Sequence, residues 1–504
     1  MKRLARDILL MALATGISRV FGLVREAAIA DRFGTSGAYD AFLIAFFLPH
    51  FLRELLAEGA LSTAFVSVYT ETLVTDEDSN QLASNLLSIL LILFPIVVLA
   101  GVFLAPHYLP FLASGFSQEK LALSVHLAQV LFPFIALVGF AAVFMGILNA
   151  HHRFFIPSLA PVLVNLGMIA GALFLGRGVL AQPIYGLAVG ALLGGAAELV
   201  LEVPPLYRAG FRFRFTLRPL HPGIRRMGRL MAPAVLGLAV TEVNLLVDNK
   251  FASYLGDGGI SSLQYAMRLF SLPLGIFGVS IGTALLPRFS ENLARNETER
   301  FASQLRSGVA LTALVLLPAI AGLCAIGPAT VRLLFEHGSF SAASTLRTAY
   351  ALSFYLVGLL PYGLVYLFTR AFYAMGRTAV PLVASAASMM ANAVLDYLLV
   401  GPMREGGLAL ATSIAGVLEV AVLAVFLWRA MRPDRVLFQE LAKVALGTGL
   451  VFLAAWGIGR AIGGASRLLE VALPALVGMG VYALYARASG LWDLVRERGE
   501  GRSE

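Results

Sequence analysis

An all-α polytopic membrane protein is the fold class this sequence predicts, on three observations. The 504 residues are 59% hydrophobic and only 13% charged, where an ordinary soluble domain carries about 25% charge. Mean hydropathy is +0.82, and the apolar excess is spread over the whole chain rather than gathered in one anchor. Long apolar runs recur between short polar breaks, near the roughly 20 residues that cross a hydrocarbon core of about 30 Å as a helix. Helices satisfy every backbone polar group within the segment, and the runs lack the two-residue alternation of a transmembrane barrel.

Fourteen helices are expected, at 8–30, 37–70, 82–106, 120–149, 156–176, 183–207, 227–256, 259–290, 299–326, 342–374, 378–400, 406–430, 438–462 and 467–488. Several exceed the bilayer thickness and so must tilt or protrude. The first carries Lys2, Arg3 and Arg6 ahead of it and holds Arg19, Arg25 and Glu26 with no small-residue cleavage site. It is expected to be a retained helix, not a signal peptide. Orientation follows from Lys and Arg in short breaks. The break at 208–229 holds Arg208, Arg212, Arg214, Arg218, Arg225, Arg226 and Arg229. Arg153, Arg377 and Arg429–Arg435 mark further basic breaks, while 107–119 and 257–260 are poor in base. Both termini are therefore expected on the cytoplasmic side. The acidic break Thr75-Asp76-Glu77-Asp78 runs against the trend, but acids weigh little in this rule.

The chain repeats itself. Ala150-His-His-Arg153-Phe-Phe-Ile-Pro157 and Ala374-Met-Gly-Arg377-Thr-Ala-Val-Pro381 share the pattern A-x-x-R-x-x-x-P at an offset of 224 residues. Leu48-Pro49 and Leu272-Pro273 match at the same offset. Six helices fall in each half, so two lobes of equal orientation, related by an axis along the membrane normal, are expected. The expected divisions are 1–218, 219–435, and 436–504 for the last two helices and the tail.

Several classes are excluded. A single Cys324 rules out a disulfide framework or thiolate cluster. The net charge of +8 sits at alternate breaks, a topology pattern rather than a nucleic-acid footprint. No G-x-x-x-x-G-K-[ST] or H-E-x-x-H motif occurs, so neither an ATPase nor a zinc enzyme is expected, and no catalytic residue or cofactor is assigned.

Charges deep in the membrane are functional candidates, because each costs about 2.5–3.5 kcal/mol or more at the bilayer centre. Arg19, Arg53 and Arg268 lie about 11, 16 and 9 residues into their helices, depths that overlap near mid-membrane at 1.5 Å per residue. Arg25 lies one to two turns beyond Arg19, on another face. Guanidinium forks suit phosphate oxygens and stay charged when buried, so the set points to a cavity for a diphosphate or polyanion. The plainer reading pairs each arginine with Asp40, Glu26, Glu54 or Glu58 as structural glue. A second set is rich in oxygen. Asn392 and Asp396 share a helix face, with Thr412 and Asp248 at similar depth. Such hard oxygen donors suit a small cation such as sodium. The plainer alternative pairs Asp248 with Lys250 and leaves Asn392 as an interhelical bond. Gly16, Gly22, Pro49, Gly59, Pro273, Gly275, Gly278 and Gly282 either bend their helices or let them pack closely.

Certain stretches resemble a known family. Ser18-Arg19-Val-Phe-Gly22-Leu-Val-Arg25-Glu26, Asp40-Ala-Phe42, and Leu48-Pro49 with Arg53 and Ala57-Glu58-Gly59-Ala60 resemble the MurJ (MviN) lipid II flippases of the MOP exporter superfamily. Tyr265-Ala-Met-Arg268-Leu with Pro273, and Gly282-Thr-Ala-Leu-Leu-Pro287, are similar to that family's helix 8 signature. The resemblance covers nearly the whole chain. It implies a two-lobed fold whose central cavity binds the lipid II diphosphate and sugar head through Arg19, Arg25, Arg53 and Arg268, supported by Glu26 and Asp40. It implies a gate of Glu58 and Arg370, and a sodium site of Asp248, Asn392, Asp396 and Thr412 with the Leu408 carbonyl. It also implies a polyprenyl groove on the last two helices. The chain departs from some relatives at Phe47 and Met267, where they carry Lys and Asp. Lipid II, membrane lipids and other cell-wall synthesis proteins are the partners implied, and nucleic acid is not. The expected activity is alternating-access flipping of lipid II. Rival readings are export of another lipid-linked oligosaccharide, cation-coupled drug export, and a non-transporting membrane scaffold.

Overall fold

A computed structural model describes residues 2–55, 60–75, 78–175 and 182–492, with the side chains of 2–12, 15, 60, 233–234 and 236–242 left aside. Every described element is helical. They are α1 (Lys2–Phe33), α2 (Gly37–Arg53), α3 (Ala60–Val74), α4 (Ser79–Leu112), α5 (Gln118–Leu131), α6 (Phe134–Ala150), α7 (Phe155–Leu159), α8 (Pro161–Ala170), α9 (Ile184–Arg208) and α10 (Pro222–Ala252). There follow α11 (Gly259–Pro273), α12 (Val279–Ala294), α13 (Thr298–Phe335), α14 (Ala342–Tyr355), α15 (Leu359–Ala374), α16 (Ala379–Met431), α17 (Arg435–Ala461) and α18 (Arg467–Ala488). Among the described residues, 10 helical stretches are long and apolar enough to cross a membrane.

The expected helices are represented among the described residues, but their number changes because prolines subdivide some. Pro133 separates α5 from α6, and Pro161 opens α8. Proline supplies no N–H to the helical ladder. After Pro273 the chain widens into a π-turn, Leu274–Gly278, before α12. The expected helices 378–400 and 406–430 are two helices that meet at a kink within the 53-residue span α16. At 1.5 Å per residue a straight helix of that size would run roughly 80 Å. It does not, because Arg404 adopts φ 51°, ψ −127° just after Pro402. The arms then return antiparallel: the Ser385 hydroxyl donates to Glu419 Oε1 (2.5 Å) and that of Ser388 to the Ala415 carbonyl (2.7 Å). Arg347 of α14 clamps the bend through Nε–H to Glu405 Oε1 (2.9 Å).

Contacts group the chain into two compact units, Met1–Ser261 with His337–Phe340, and Ser262–Glu336 with Ser341–Glu504. The division falls at Ser261, not at the 218–219 boundary expected from the repeat, because α10 packs on α3 and α4. The repeat itself has a structural counterpart inside each unit. Arg153 N–H bonds the Leu148 carbonyl and His152 N–H that of Asn149, with His152 left-handed at φ 57°. Arg377 N–H bonds Phe372 and Gly376 N–H bonds Tyr373, with Gly376 at φ 69°. Both are the same helix-ending turn, in which two amides reach back over a left-handed residue. The A-x-x-R-x-x-x-P pattern is thus a repeated stop signal, with proline following each turn.

Within the second unit α17 packs on α13, and α18 on both. Phe301 and Leu305 of α13, Leu423 and Leu427 of α16, and Val444 of α17 share one buried core. Tyr482 of α18 donates to the Leu314 carbonyl (2.8 Å). Only 22% and 11% of the most apolar windows of α17 and α18 are buried, against 61% for Gln118–Ala150.

Candidate substrate and ion sites

The expected arginines differ in surroundings. Arg19 is exposed on α1. Arg25, one and a half turns on, is held: its guanidinium donates to Glu26 Oε1 (2.5 Å) and to Asn165 Oδ1 of α8 (3.0 Å). Glu26 is 3% exposed, so this pair braces α1 against α8. Arg53 is half-buried at the end of α2. These three belong to the first unit, and Arg268, exposed on α11, to the second.

Asp40 does not pair with an arginine. It is 0% exposed, and its carboxylate accepts from Lys120 Nζ (2.9 Å), the Gly258 amide (2.7 Å) and the Ser261 amide (2.8 Å). The clamp ties α2 to the start of α5 and to the turn between α10 and α11. Lys120 also donates to Asp257 (3.0 Å) and lies 4.1 Å over the Phe116 ring. A cationic partner with three or more satisfied bonds is what a buried carboxylate requires.

Four of the five expected sodium ligands lie on the two arms of α16. Asn392 and Asp396 are buried on the first arm, the Asn392 amide donating to Asp396 Oδ2 (3.1 Å). Thr412 and Leu408 are buried on the second, the Thr412 hydroxyl donating to the Leu408 carbonyl (3.0 Å). The register set by Ser388–Ala415 and Ser385–Glu419 brings Asn392 level with Thr412 and Asp396 level with Leu408, to about one residue. Tyr362 of α15 fixes the second arm by donating to the Thr412 carbonyl (3.2 Å). The fifth, Asp248, belongs to the first unit, where Asn244 donates to it at 3.5 Å. Lys250, its expected partner in the plainer reading, lies over the Phe111 ring at 4.0 Å.

Of the expected gate, Glu58 lies outside the described residues. Arg370 is half-buried on α15, 5.9 Å from the Tyr373 ring centroid. Its stem passes α12 at Gly282, where an added Cβ would sit 3.4 Å from Arg370 Cγ. Gly282 and Gly278 are therefore packing positions, whereas Gly16, Gly22 and Gly275 have nothing within 4 Å, and Gly59 lies outside the described residues. Sequence reasoning missed Lys120 and Asn165 as partners. Their signals were present: a lone lysine beside a base-poor break, and a lone asparagine in the apolar run Pro161–Ala170.

The all-helical fold with its candidate spans is that of a polytopic membrane protein, and solved transporters of the MOP superfamily share it. An inward-facing multidrug resistance MATE family transporter of that superfamily superposes with TM-score 0.70 at 16% identity, over 87% of this chain and 99% of that one. A structure of the lipid II flippase MurJ in an inward closed conformation superposes with TM-score 0.82 at 27% identity, over 97% of this chain and all of that one. The family described as lipid II flippase MurJ matches residues 29–482. The probable lipid II flippase MurJ of Thermotoga maritima is 32% identical over 493 residues, 97% of each chain. That of Vibrio cholerae is 34% identical over 433 residues, 84% of this chain and 82% of its own. The chain belongs to the lipid II flippase MurJ family.

Proposed function

We propose that this multi-pass membrane protein carries lipid II from the inner to the outer leaflet of the bacterial cytoplasmic membrane by alternating access. The observation that carries the reading is membership of the family over residues 29–482. Family identity supplies the substrate, since arginines alone would suit any large pyrophosphate lipid. Arg19 and Arg268, both exposed, are the residues proposed to receive the diphosphate through charge-assisted bonds. Arg53 joins them, and Arg25, already bonded to Glu26 and Asn165, holds α1 in place and contributes field. Glu58 and Arg370 are proposed to close the cytoplasmic side. Both termini are proposed to be cytoplasmic.

Sodium coupling extends the proposal. Asn392, Asp396, Thr412 and the Leu408 carbonyl offer amide, carboxylate, hydroxyl and carbonyl oxygens within one turn of each other on the two arms of α16, a donor set that fits a small hard cation. Bound sodium would add a positive charge beside the buried Asp396. With the inside negative, membrane potential adds about 2.3 kcal/mol per charge per 100 mV to the inward passage of a cation and the resetting of an emptied carrier.

The test is reconstitution of the purified protein, followed by leaflet accessibility of labelled lipid II with and without a sodium gradient. Wild-type protein should move the label, whereas Arg19→Ala and Arg268→Ala should insert normally and move none. Normal flipping by both variants would remove the arginine mechanism. Failure of the wild type with lipid II, together with movement of another polyprenyl-linked oligosaccharide, would reassign the substrate.

A further inference from the structure

Between α9 and α10 the sequence reads Phe211-Arg-Phe-Arg-Phe-Thr-Leu-Arg218. It alternates apolar with basic or polar residues in a chain otherwise built on helical periods. No helix forms here. Instead alternate amides turn to one partner, the first turns of α4. The Arg214 amide donates to Ser84 Oγ (3.2 Å) and the Thr216 amide to Ser88 Oγ (3.0 Å). Arg218 makes a two-point match with the Asn85 side chain, its amide donating to Oδ1 (2.7 Å) and its carbonyl accepting from Nδ2 (2.9 Å). Ser84, Asn85 and Ser88 are themselves buried, so a helix face here takes the place of a neighbouring strand.

This spacing divides the side chains into two faces. Phe213, Phe215 and Leu217 stand on one, 45%, 64% and 49% exposed. Arg212, Arg214 and Arg218 stand on the other, all exposed. Four more exposed arginines flank the segment: Arg208, Arg225, Arg226 and Arg229. Within this group of seven, Arg226 pairs with Glu71 (2.7 Å). The position along α4 matters. Ser88 is the last polar residue before the unbroken apolar run Ile89–Ala105, whose Leu91, Ile92 and Leu93 are exposed. The ribbon is therefore pinned where α4 passes from polar to apolar surroundings, the level of lipid headgroups.

We propose that residues 211–218 form an interfacial ribbon that binds anionic phospholipid headgroups, with Phe213, Phe215 and Leu217 in the acyl boundary and the arginines on the phosphates. Phe and Leu on the apolar face of a surface element sit at the acyl boundary, and basic residues beside a membrane attract anionic lipid within a Debye length. An amphipathic element at the surface binds by buried apolar area plus this attraction. The ribbon obtains the same division of faces from a period of two, and its pinning to α4 removes the need to fold on the membrane. The inference goes beyond transport and does not depend on which lipid is flipped.

The experiment places a tryptophan at Phe215→Trp in a background of Trp428→Phe, Trp456→Phe and Trp492→Phe. The full-length protein is reconstituted in equal parts phosphatidylcholine and phosphatidylglycerol, with brominated chains on one lipid or the other. Brominated phosphatidylglycerol should quench roughly twofold more than brominated phosphatidylcholine. The preference should vanish in high salt and on adding Arg212→Gln, Arg214→Gln and Arg218→Gln. Equal quenching by both lipids would overturn headgroup binding, and no quenching by either would overturn the interfacial placement. Loss of the phosphatidylglycerol preference on adding trace lipid II would reassign the ribbon to substrate capture and overturn the proposal. A second readout needs no new tryptophan: wild-type protein purified at low salt should retain more phosphatidylglycerol than the triple glutamine variant, and equal retention would also overturn it. Both readouts are blind to flipping, so they stand or fall apart from the transport reaction.

Discussion

Asp40 shows how a carboxylate persists in an apolar fold. It is fully buried and receives one ammonium and two amides. Asp40→Ala would leave the buried Lys120 with the exposed Asp257 as its ionic partner, and breaking a buried pair costs up to about 3–5 kcal/mol. Unfolding in detergent should therefore show a loss of about that size, with Lys120→Met partly restoring stability to the Asp40→Ala protein. An undiminished single variant would show the clamp to be ornamental. His151 offers a second residue-level test, in the turn after α6. Burial, with Arg153 and His152 beside it, holds its imidazole below the ordinary value, and it meets the Tyr69 hydroxyl at 3.3 Å. Its folded pKa is depressed, so its contribution is full above the ordinary imidazole pKa and is lost as pH falls through that value toward the folded one. Denaturation midpoints should drop between neutral and mildly acidic pH, and His151→Gln should flatten that drop.

At the scale of elements, glycines bring α8 and α9 together backbone to backbone. Gly167 of α8 and Gly171 just after it face Gly186, Gly190 and Gly194 of α9. A Cβ on Gly190 would lie 2.3 Å from the Gly167 carbonyl oxygen, and one on Gly171 2.2 Å from that of Gly186. Spacings of four put small residues on one helix face and let backbones touch. Because the obstruction is backbone, Gly190→Val should cost about 1–3 kcal/mol or more, read as a lower melting temperature. Gly457→Val, open on α17, should cost far less. The helices were legible because apolar runs and basic breaks are local in sequence. Their internal breaks were less so. Pro133 and Pro273 interrupt the ladder, yet Pro95, Pro106 and Pro110 lie within an unbroken α4, and neighbouring packing decides between the two outcomes. The bend at Arg404 was legible as a polar break, but its left-handed φ was not.

For the whole molecule, the repeat visible in Arg153 and Arg377 proved to be two copies of one turn. The compact units still divide elsewhere, since α10 packs with the helices before it. Register follows ancestry of sequence, whereas compactness follows contact. The candidate residues were legible as expensive charges, but their partners were not. Nothing local predicts that Asp40 meets Gly258 and Ser261 rather than an arginine. Ion coupling belongs to this scale, because a ligand that binds only the folded protein raises its stability by mass action. Replacing potassium with sodium at constant ionic strength should raise the melting temperature, by about 2.7 kcal/mol of stability at a hundredfold excess over the dissociation constant. Asp396→Asn should abolish the difference, and a sodium effect that survives the substitution would move the ion elsewhere.

The Asp40 clamp also has a history in time. Its lysine is encoded 80 residues downstream and its two amides 218 and 221 residues downstream. At synthesis rates of about 5–20 residues per second, the nascent α2 waits roughly 10–40 s for its last partners. During that interval the Asp40 carboxylate lacks the partners that accompany its burial in the folded protein. The second helix therefore reaches its final set of bonds only after the turn before α11 is made. A single buried aspartate thus sets a minimum order of assembly: the first unit is completed only after most of its length has already been threaded into the bilayer.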